Sequence, residues 1–416
     1  METKRTVRKL LDRLPDGCTH GRIVLVWAVV TFVAACVPLT AAQRTWPPPH
    51  LDPAQAERVN DLFKRASAHN KSGEPAEAEA LLVEAAGLAP RNPSILYDLA
   101  CARALQDGKH EQAMDDLERA ASLGFTRFGW IANDPDLDAL HAMPRFNLLL
   151  ERKETYLRGA AEATLASLKK QYGLEGYRYE IDPDLRLVFA VSMDDMDEAL
   201  FQKLKSRLRV QQEALSGALF EHKPEAYVTV LRPTRKEYRY LRAHYGRVRN
   251  TRGFYIFSAR LLVARAEYET LTHEFTHALH HADMTRLGQG SHASWILEGL
   301  AVLTMKASFE GGKLQPGDIP YFKNLPAKAR QQRKMIPLQT LVTMQGADFE
   351  RQFTLCYGQS HSVMLYLWET GQLKRFYEAY KQTYAKDPTG RLALEETTGK
   401  PLAECENAWT EWLAVR

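Results

Sequence analysis

The hydrophobic pattern is most pronounced near the N-terminus, where residues 23–42 carry no charged side chain over 20 positions. A helix needs about 20 apolar residues to cross the hydrocarbon core of a bilayer. Residues 1–22 contain six Lys or Arg against three acids. The positive-inside rule therefore predicts that this flank stays in the cytoplasm and that the chain beyond residue 42 is exported. We predict a cytoplasmic basic segment, 1–22, followed by a transmembrane anchor or signal segment, 23–42.

Two alternatives to an uncleaved anchor fit the same segment. Thr40, Ala41 and Ala42 form a small-residue site, and cleavage after it would release a secreted protein. Residues 33–36, Val-Ala-Ala-Cys, resemble a bacterial lipobox, in which Cys36 would be the lipidated residue. The rest of the chain is exported in all three cases: the uncleaved anchor, the cleaved signal and the lipoprotein.

A Pro-rich linker, 43–53, is typical of a stiff spacer. Beyond it, small and apolar residues recur with a period of 35 positions. The repeated set is Gly73, Ala78, Leu82, Ala85, Ala86 and Leu88, which returns as Gly108, Ala113, Leu117, Ala120, Ala121 and Leu123. Each copy is typical of two helices joined at the glycine, and the period resembles that of tetratricopeptide (TPR) repeats. We predict TPR-like helical repeats over 54–155, closed by a capping element at 134–146. Such an array either binds a protein partner or serves only for packing.

The pattern changes after a predicted linker helix, 156–176. Runs rich in Val, Phe and Leu then predict strands, and the C-terminal part has helical periodicity. The predicted elements are strands over 185–192 and 226–231, a helix over 196–219 between them, and a hairpin over 252–257 and 261–263. Strands followed by helices indicate an α+β domain over 177–416, with a small sheet and a helical C-terminal half.

Composition narrows the classes of function. A chain of 416 residues with 45% hydrophobic and 25% charged residues is neither largely disordered nor a polytopic membrane protein. The net charge of +4 is too balanced for a nucleic-acid-binding polyelectrolyte. The five cysteines include no CxxC pair, so neither a disulfide scaffold nor a thiolate zinc cluster is indicated.

Candidate chemistry begins at residues 273–277, His-Glu-Phe-Thr-His, an HExxH motif in a helical context. The motif's helix has one apolar face, formed by Leu271, Phe275, Ala278 and Leu279. His273 and His277, four residues apart, project together from a different face. Two neutral imidazoles held in this way can bind one Zn²⁺. Glu274 can then take a proton from a metal-activated water and pass it to the leaving amine.

A second segment supplies a third candidate ligand. Residues 294–305 contain a single charged side chain, Glu298. A carboxylate in so apolar a helix costs several kcal/mol unless it is paired or bound to a metal. Glu298 follows His277 by 21 residues, which leaves room for a loop and a second packed helix. A structural ion pair with an arginine is the alternative.

HExxH followed by Trp-x-x-Glu-Gly-Leu-Ala at 295–301 resembles the gluzincin zinc metallopeptidases, and among them the bacterial peptidase MA-like group. The resemblance extends to Gly-Phe-Tyr at 253–255, to Tyr-Gly-Gln-Ser at 357–360 as the start of a helix, and to the Thr-Gly turn at 398–399. It implies a zincin-type fold, with His273, His277 and Glu298 as the zinc ligands and Glu274 as the catalytic base. It also implies that a peptide substrate lies along an edge strand at 254–257.

The same resemblance implies a further donor for the oxyanion of the transition state. Tyr357 is the first candidate and His361 the second; a plain core position is the alternative for both. The thermolysin-like pattern has an acid four residues after the glutamate ligand, but Val302 occupies that position here. The group that would orient a ligand histidine is therefore not identified by the sequence.

A metzincin-type ligand set is the rival arrangement. Asp283 stands where the third metzincin ligand would be, but His280 occupies the position of the glycine that lets the chain turn there. His280 and His281 are expected beside the site or exposed rather than as ligands. His292, in the loop before the second helix, is only a weak candidate for the site.

These patterns together predict a zinc-dependent peptidase held on the outer side of a bacterial cell membrane by a single span and acting on a peptide or protein substrate. The alternative is a tethered TPR scaffold that binds partner proteins and keeps a slow or inactive peptidase-like domain. An aminopeptidase would need an acidic residue that binds the free amine of its substrate, and no such residue is evident in this sequence.

Overall fold

The computed structural model describes residues 53–245, 252–265, 268–319, 328 and 334–415. The predicted basic segment 1–22, the hydrophobic segment 23–42 with Cys36, and all of the linker except Pro53 lie outside the described residues. In the part of the chain that is described, no helix combines the length and the apolar character that a membrane crossing requires.

The N-terminal part consists of paired helices that follow the 35-residue repeat. They are α1 (Pro53–Lys71), α2 (Pro75–Leu88), α3 (Pro93–Ala104) and α4 (His110–Ser122). The turns within the two pairs contain Gly73 and Gly108, both with positive φ (74° and 78°). Ala78 and Ala113, at the same place in each copy, are fully buried because the helices approach closely there. The small residues of the repeat therefore mark helix contacts.

A short irregular segment closes this helical module. It contains α5 (Phe128–Ile131), a 3₁₀ turn (Pro135–Leu140) and α6 (Pro144–Glu151). Asp134 caps the 3₁₀ turn by accepting a hydrogen bond from the Asp136 amide at 3.0 Å. Leu137, Leu140 and Phe146 are buried in the same hydrophobic cluster as α3 and α4. The residues predicted to cap the array thus cover its end.

Helix α7 (Lys153–Tyr172) spans the predicted domain boundary at 155/156 without a break. Its first half contributes Leu157 to the core of the helical module. Its second half contributes Leu168 to the cluster that covers one face of the sheet, next to Val188. This helix is therefore packed on both parts of the molecule and joins them.

The sheet has five strands in the order β1-β2-β3-β5-β4. They are β1 (Tyr177–Asp182), β2 (Leu187–Ser192), β3 (Val228–Arg232), β4 (Gly253–Ile256) and β5 (Leu261–Ala264). The central strands β2, β3 and β5 are parallel, whereas β1 and β4 are antiparallel edges. The predicted hairpin is confirmed as β4 and β5. Strand β1 was missed because its charged, half-buried residues give little apolar signal.

Helices cover the sheet and form the C-terminal half, so the predicted α+β class is confirmed. They are α8 (Glu198–Ala218), α9 (Arg235–His244), α10 (Tyr268–Arg286), α11 (Ser294–Met305), α12 (Leu338–Thr343), α13 (Gly346–Arg351), α14 (Phe353–Glu369), α15 (Leu373–Thr383), α16 (Arg391–Thr398) and α17 (Leu402–Ala414). Helix α14 begins four residues before the expected start at Tyr357. The largest hydrophobic cluster lies among α8, α10, α11, α14 and the sheet.

Candidate metal centre

Helix α10 carries the HExxH motif through the centre of the α+β part. Its apolar face is buried as expected: Leu271, Phe275 and Leu279 belong to the main core. The helix ends at Arg286, and the φ of 65° at Gly288 lets the Gln289 amide donate back to the Met284 carbonyl at 3.0 Å. A loop of seven residues, 287–293, then leads directly into α11.

Helix α10 is also fixed by polar contacts inside the core. Gln211 of α8 donates to the Thr272 carbonyl at 2.8 Å and to Thr276 Oγ1 at 2.9 Å. Thr276 Oγ1 in turn lies 2.6 Å from Thr304 Oγ1 of α11. These buried hydrogen bonds hold the two histidine turns against both neighbouring helices, and nothing in the sequence singled them out.

Glu298 projects from α11 towards the two histidines of α10. Its Oε2 lies 3.3 Å from His273 Nε2 and 3.5 Å from His277 Nε2. The two Nε2 atoms are 3.2 Å apart. Ligands bound tetrahedrally to Zn²⁺ at about 2.0–2.1 Å are separated by about 3.3 Å. The three side chains therefore form a triangle of the size that one zinc ion requires.

The electrostatics of this triangle favour a bound cation. Burial by itself raises the pKa of Glu298, but the adjacent imidazoles, chiefly the charge of His277, bring the pKa below its usual range. The carboxylate is therefore ionised at neutral pH, within a small buried space shared with two imidazoles. In the described part of the chain, neither His273 Nδ1 nor His277 Nδ1 has a hydrogen-bond partner. The acid that orients a ligand histidine in many zinc sites is thus not found among these residues.

Glu274 lies next to the triangle, against the start of the edge strand β4. His273, Glu274 and His277 each offer a ligand atom within 4.8 Å of the others. A Cβ built on Gly253 would come within 3.0 Å of Glu274 Cγ and 3.1 Å of its Oε1. Only glycine lets β4 pass so close to this carboxylate. Glu298, not Glu274, completes the triangle with both Nε2 atoms.

Tyr357, the first candidate for an oxyanion donor, lies beside the candidate ligands. Its ring is parallel to that of His273 at 6.3 Å, and its hydroxyl hydrogen-bonds to the Glu298 carboxylate. Burial, followed by the charge of Glu298, raises the pKa of Tyr357 well above its usual value. The phenol therefore keeps its proton and is a hydrogen-bond donor at neutral pH.

A glycine next to Glu298 explains how Tyr357 reaches the site. A Cβ on Gly299 would lie 2.8 Å from Met364 Cγ and 2.9 Å from the Ser360 carbonyl oxygen. Without a side chain at residue 299, α14 packs directly on α11 and brings Tyr357 to the carboxylate. His361, the second candidate, is buried one turn further along α14.

The rival metzincin ligand lies elsewhere. Asp283 belongs to α10, and both of its carboxylate oxygens accept hydrogen bonds from residues outside this helix. Oδ1 accepts from the Glu221 and His222 amides, at 3.0 Å each, and Oδ2 accepts from the Tyr377 hydroxyl at 3.1 Å. Asp283 therefore anchors α10 to the end of α8 and to α15, and the structure does not bring it to His273 and His277.

The remaining histidines also lie outside the triangle. His280 Nε2 and His292 Nδ1 are 2.8 Å apart in a buried pair, so His292 fixes the loop between the ligand helices. Burial lowers the pKa of His292 to about 3, which keeps its ring neutral. His281 is half-buried, with Nδ1 3.1 Å from the Tyr255 hydroxyl. All three therefore act as structural contacts of α10.

Comparison of the chain with protein-family models, with curated proteins and with solved structures found no match. The resemblance to gluzincins therefore rests on the motif residues alone.

Proposed function

We propose that this protein is a zinc-dependent peptidase that uses Glu274 as its general base. The observation that carries the proposal is the triangle of His273 Nε2, His277 Nε2 and Glu298 Oε2, with sides of 3.2–3.5 Å. Two imidazoles and one carboxylate are a donor set that zinc binds in hydrolytic enzymes, where a fourth position stays open. The alternative of a structural ion pair explains Glu298 alone and not the convergence of three side chains.

A zinc ion held by these residues would polarise a carbonyl and lower the pKa of a water molecule to about 7. The chain's own residues then have to move a proton and stabilise charge. The Glu274 carboxylate adjoins the ligands and is buried, so it can accept a proton from water and deliver it to the leaving nitrogen. Its position is fixed because β4 packs against it at Gly253.

Tyr357 is the candidate donor to the oxyanion. Its raised pKa keeps the hydroxyl protonated, and its hydrogen bond to Glu298 holds it at the edge of the triangle. A donor fixed beforehand at the place where negative charge develops lowers the barrier more than one that must reorganise. We assign Tyr357 this role ahead of His361 because Tyr357 contacts a ligand side chain.

The substrate strand is the second part of the proposal. Strand β4 is an edge of the sheet and pairs only with β5 among the described strands. The Arg265 amide donates to the Arg252 carbonyl at 3.3 Å, so antiparallel alternation turns the backbone groups of Gly253 and Tyr255 away from β5. A peptide can add to this edge beside Glu274 by β-augmentation.

We further propose that the helical module belongs to the TPR-like class and that segment 23–42 tethers the protein to the bacterial membrane, with the peptidase outside. The repeat with its glycine turns supports the first statement, and the charge distribution of residues 1–42 supports the second. A scaffold with an inactive peptidase-like part remains the second candidate function. The intact HExxH motif and its third ligand favour catalysis.

Metal analysis and peptide cleavage by the full-length protein test the proposal. We expect about one zinc per chain and cleavage of a casein or peptide-library substrate that a chelator abolishes. Glu274→Gln should lower kcat by at least about 10³-fold while the zinc stays bound. Glu269→Gln, on the same helix but paired at 3.8 Å with Lys306, is the matched control and should cleave normally. Unchanged turnover in Glu274→Gln, or a zinc-free active protein, would overturn the assignment.

A further inference from the structure

A cleft lies between the end of the helical module and the second half of α10. Residues 126–130 form one wall and residues 223–226, before β3, form another. Arg260, at the turn between β4 and β5, and His281 of α10 complete it. The cleft therefore lies where the repeats meet the candidate peptidase.

The cleft is strongly cationic. Four cationic side chains line it, namely Arg127, Lys223, Arg260 and Arg286. Glu225 is the one carboxylate among the described lining residues, and its Oε2 accepts the Gly129 amide at 3.1 Å. An excess of fixed positive charge in a concave site attracts and holds anions.

Two of these arginines are held in place by the protein. Arg260 has a left-handed backbone (φ 45°), uncommon for a residue other than glycine, and its Nη1 donates to Thr126 Oγ1 at 2.9 Å. The Arg127 guanidinium lies 4.3 Å from the ring centre of Trp130. Burial, followed by the charge of Arg260, lowers the pKa of Arg127 to about 10. The positive charges of Arg127 and Arg260 repel each other, and a bound anion would offset this repulsion.

The cleft lies one helical turn of α10 away from the candidate metal centre. His281, in its wall, follows the ligand His277 by one helical turn, and the Phe257 ring lies 6.3 Å from His277 and 5.1 Å from His281. Tyr255 of the edge strand lines the cleft, and its hydroxyl lies 3.1 Å from His281 Nδ1. Four helical residues rise about 6 Å, which matches about two residues of extended peptide.

We propose that this cleft binds a carboxylate of the peptide substrate, about two to three residues from the bond that is cut. The proposal rests on the proposed peptidase function, because it assumes that the peptide follows β4. The carboxylate is either the C-terminal group of the peptide or the side chain of an Asp or Glu. Guanidinium groups suit it because they form paired hydrogen bonds with carboxylates.

Binding to full-length Glu274→Gln protein tests this site without turnover. The probes are alanine-based peptides of four to eight residues, prepared as C-terminal acids and as amides, and amides with Glu or Gln at each position. We expect calorimetry to give about tenfold tighter binding for the acid or the Glu peptide than for its neutral partner. The pair that shows the difference identifies the source of the carboxylate.

Cleft variants show where the preference arises. Arg260→Met should reduce the ratio below about threefold, whereas Arg239→Met, an exposed arginine of α9 outside the cleft, should leave it unchanged. Because Arg260 also holds the turn, Arg286→Met provides a second variant that removes only an exposed side chain, and it should lower the ratio too. Equal binding of charged and neutral peptides, or a ratio unaffected by both cleft variants, would overturn the proposal.

The two proposals fail in different ways. If the unmodified protein cleaves peptides with no preference for a carboxylate, the cleft proposal is wrong and the peptidase stands. If carboxylate peptides bind through the cleft but no peptide is cleaved, the cleft proposal stands and the peptidase assignment is wrong.

Discussion

In two groups of buried acids in this molecule, the surroundings shift the pKa of a carboxyl group in opposite directions. In the α+β part, the Glu298 carboxylate faces two imidazoles, and its pKa is low despite burial. In the helical module, Asp98 lies near Asp134 and Asp136, and burial followed by the charge of Asp134 raises the pKa of Asp98 to about 7. One acid is therefore kept ionised and the other is driven towards its protonated form.

The second group also resembles a metal site in composition. Cys101, Asp134 and Asp136 offer ligand atoms within 4.8 Å of one another. The Tyr97 hydroxyl donates to Asp134, however, and burial followed by the charge of Asp134 raises the pKa of the Cys101 thiol well above its usual value. Proximity of ligand-type residues is therefore not enough. We expect zinc at the histidine triangle and not at this acidic group.

The largest expected effect separates the two groups directly. Glu298→Gln keeps the size of the side chain but removes the charge, so we expect zinc affinity to fall by about 100-fold or more. Cys101→Ser, which removes a ligand-type atom from the acidic group, should leave about one zinc per chain. Metal analysis after dialysis against a weak chelator measures both. Equal zinc loss in the two variants would contradict the comparison.

A smaller effect is expected at Tyr357, which contacts the candidate ligand Glu298 but is not itself a candidate ligand. Tyr357→Phe removes one preorganised donor and should lower kcat by about 10²-fold, with KM and zinc content nearly unchanged. Tyr240→Phe, at a position 69% exposed, is the control. Full activity in Tyr357→Phe would exclude Tyr357 as the oxyanion donor and leave His361 as the candidate.

The next effect concerns the position of the proposed catalytic carboxylate, Glu274. In Gly253→Ala the new Cβ would lie 2.6 Å from Thr270 Cγ2 and 3.0 Å from Glu274 Cγ, so β4 and α10 must move apart. Because small displacements of a catalytic group are costly, we expect kcat to fall by about tenfold with zinc retained. Gly217→Ala, where a Cβ meets nothing within 4 Å, should remain fully active. Parallel loss in both variants would point to general destabilisation.

The smallest expected effect tests the acidic group. An unfolded aspartate titrates near pH 3.9, whereas Asp98 titrates at about 7, so the folded protein holds a proton that the unfolded chain releases. The contribution of this carboxyl group to stability is therefore fully present below about pH 4 and is lost as the pH rises through about 7. Asp98→Asn removes this penalty and should raise the free energy of unfolding by at least about 1 kcal/mol at pH 8, but not at pH 4.

Urea unfolding of the full-length protein at the two pH values measures this difference. Asp107→Asn, at an exposed position of the same module, should change stability at neither pH. A loss of stability in Asp98→Asn that is larger at pH 8 than at pH 4 would show that Asp98 is stabilising as an anion.

Local periodicity was sufficient for much of the fold and part of the site. The repeat at Gly73 and Gly108, the α10 helix and the β4–β5 hairpin follow from patterns within a few dozen residues. Strand β1 was not predicted because an edge strand with one polar face has no strong apolar pattern. Helix α14 begins at Phe353, four residues before the Tyr-Gly-Gln-Ser motif that the resemblance gives as a helix start.

The sequence by itself determined which side chains are available for chemistry: two histidines one helical turn apart, a glutamate between them and a lone acid in an apolar helix. Spacing along one helix follows from backbone geometry, so it needs no distant partner. Tertiary structure decided the rest. Contacts at Gly253 and Gly299 bring Glu274 to β4 and Tyr357 to Glu298, and Arg260 meets Thr126 across 134 positions of chain. Such approaches depend on how separate elements pack, which no local pattern encodes.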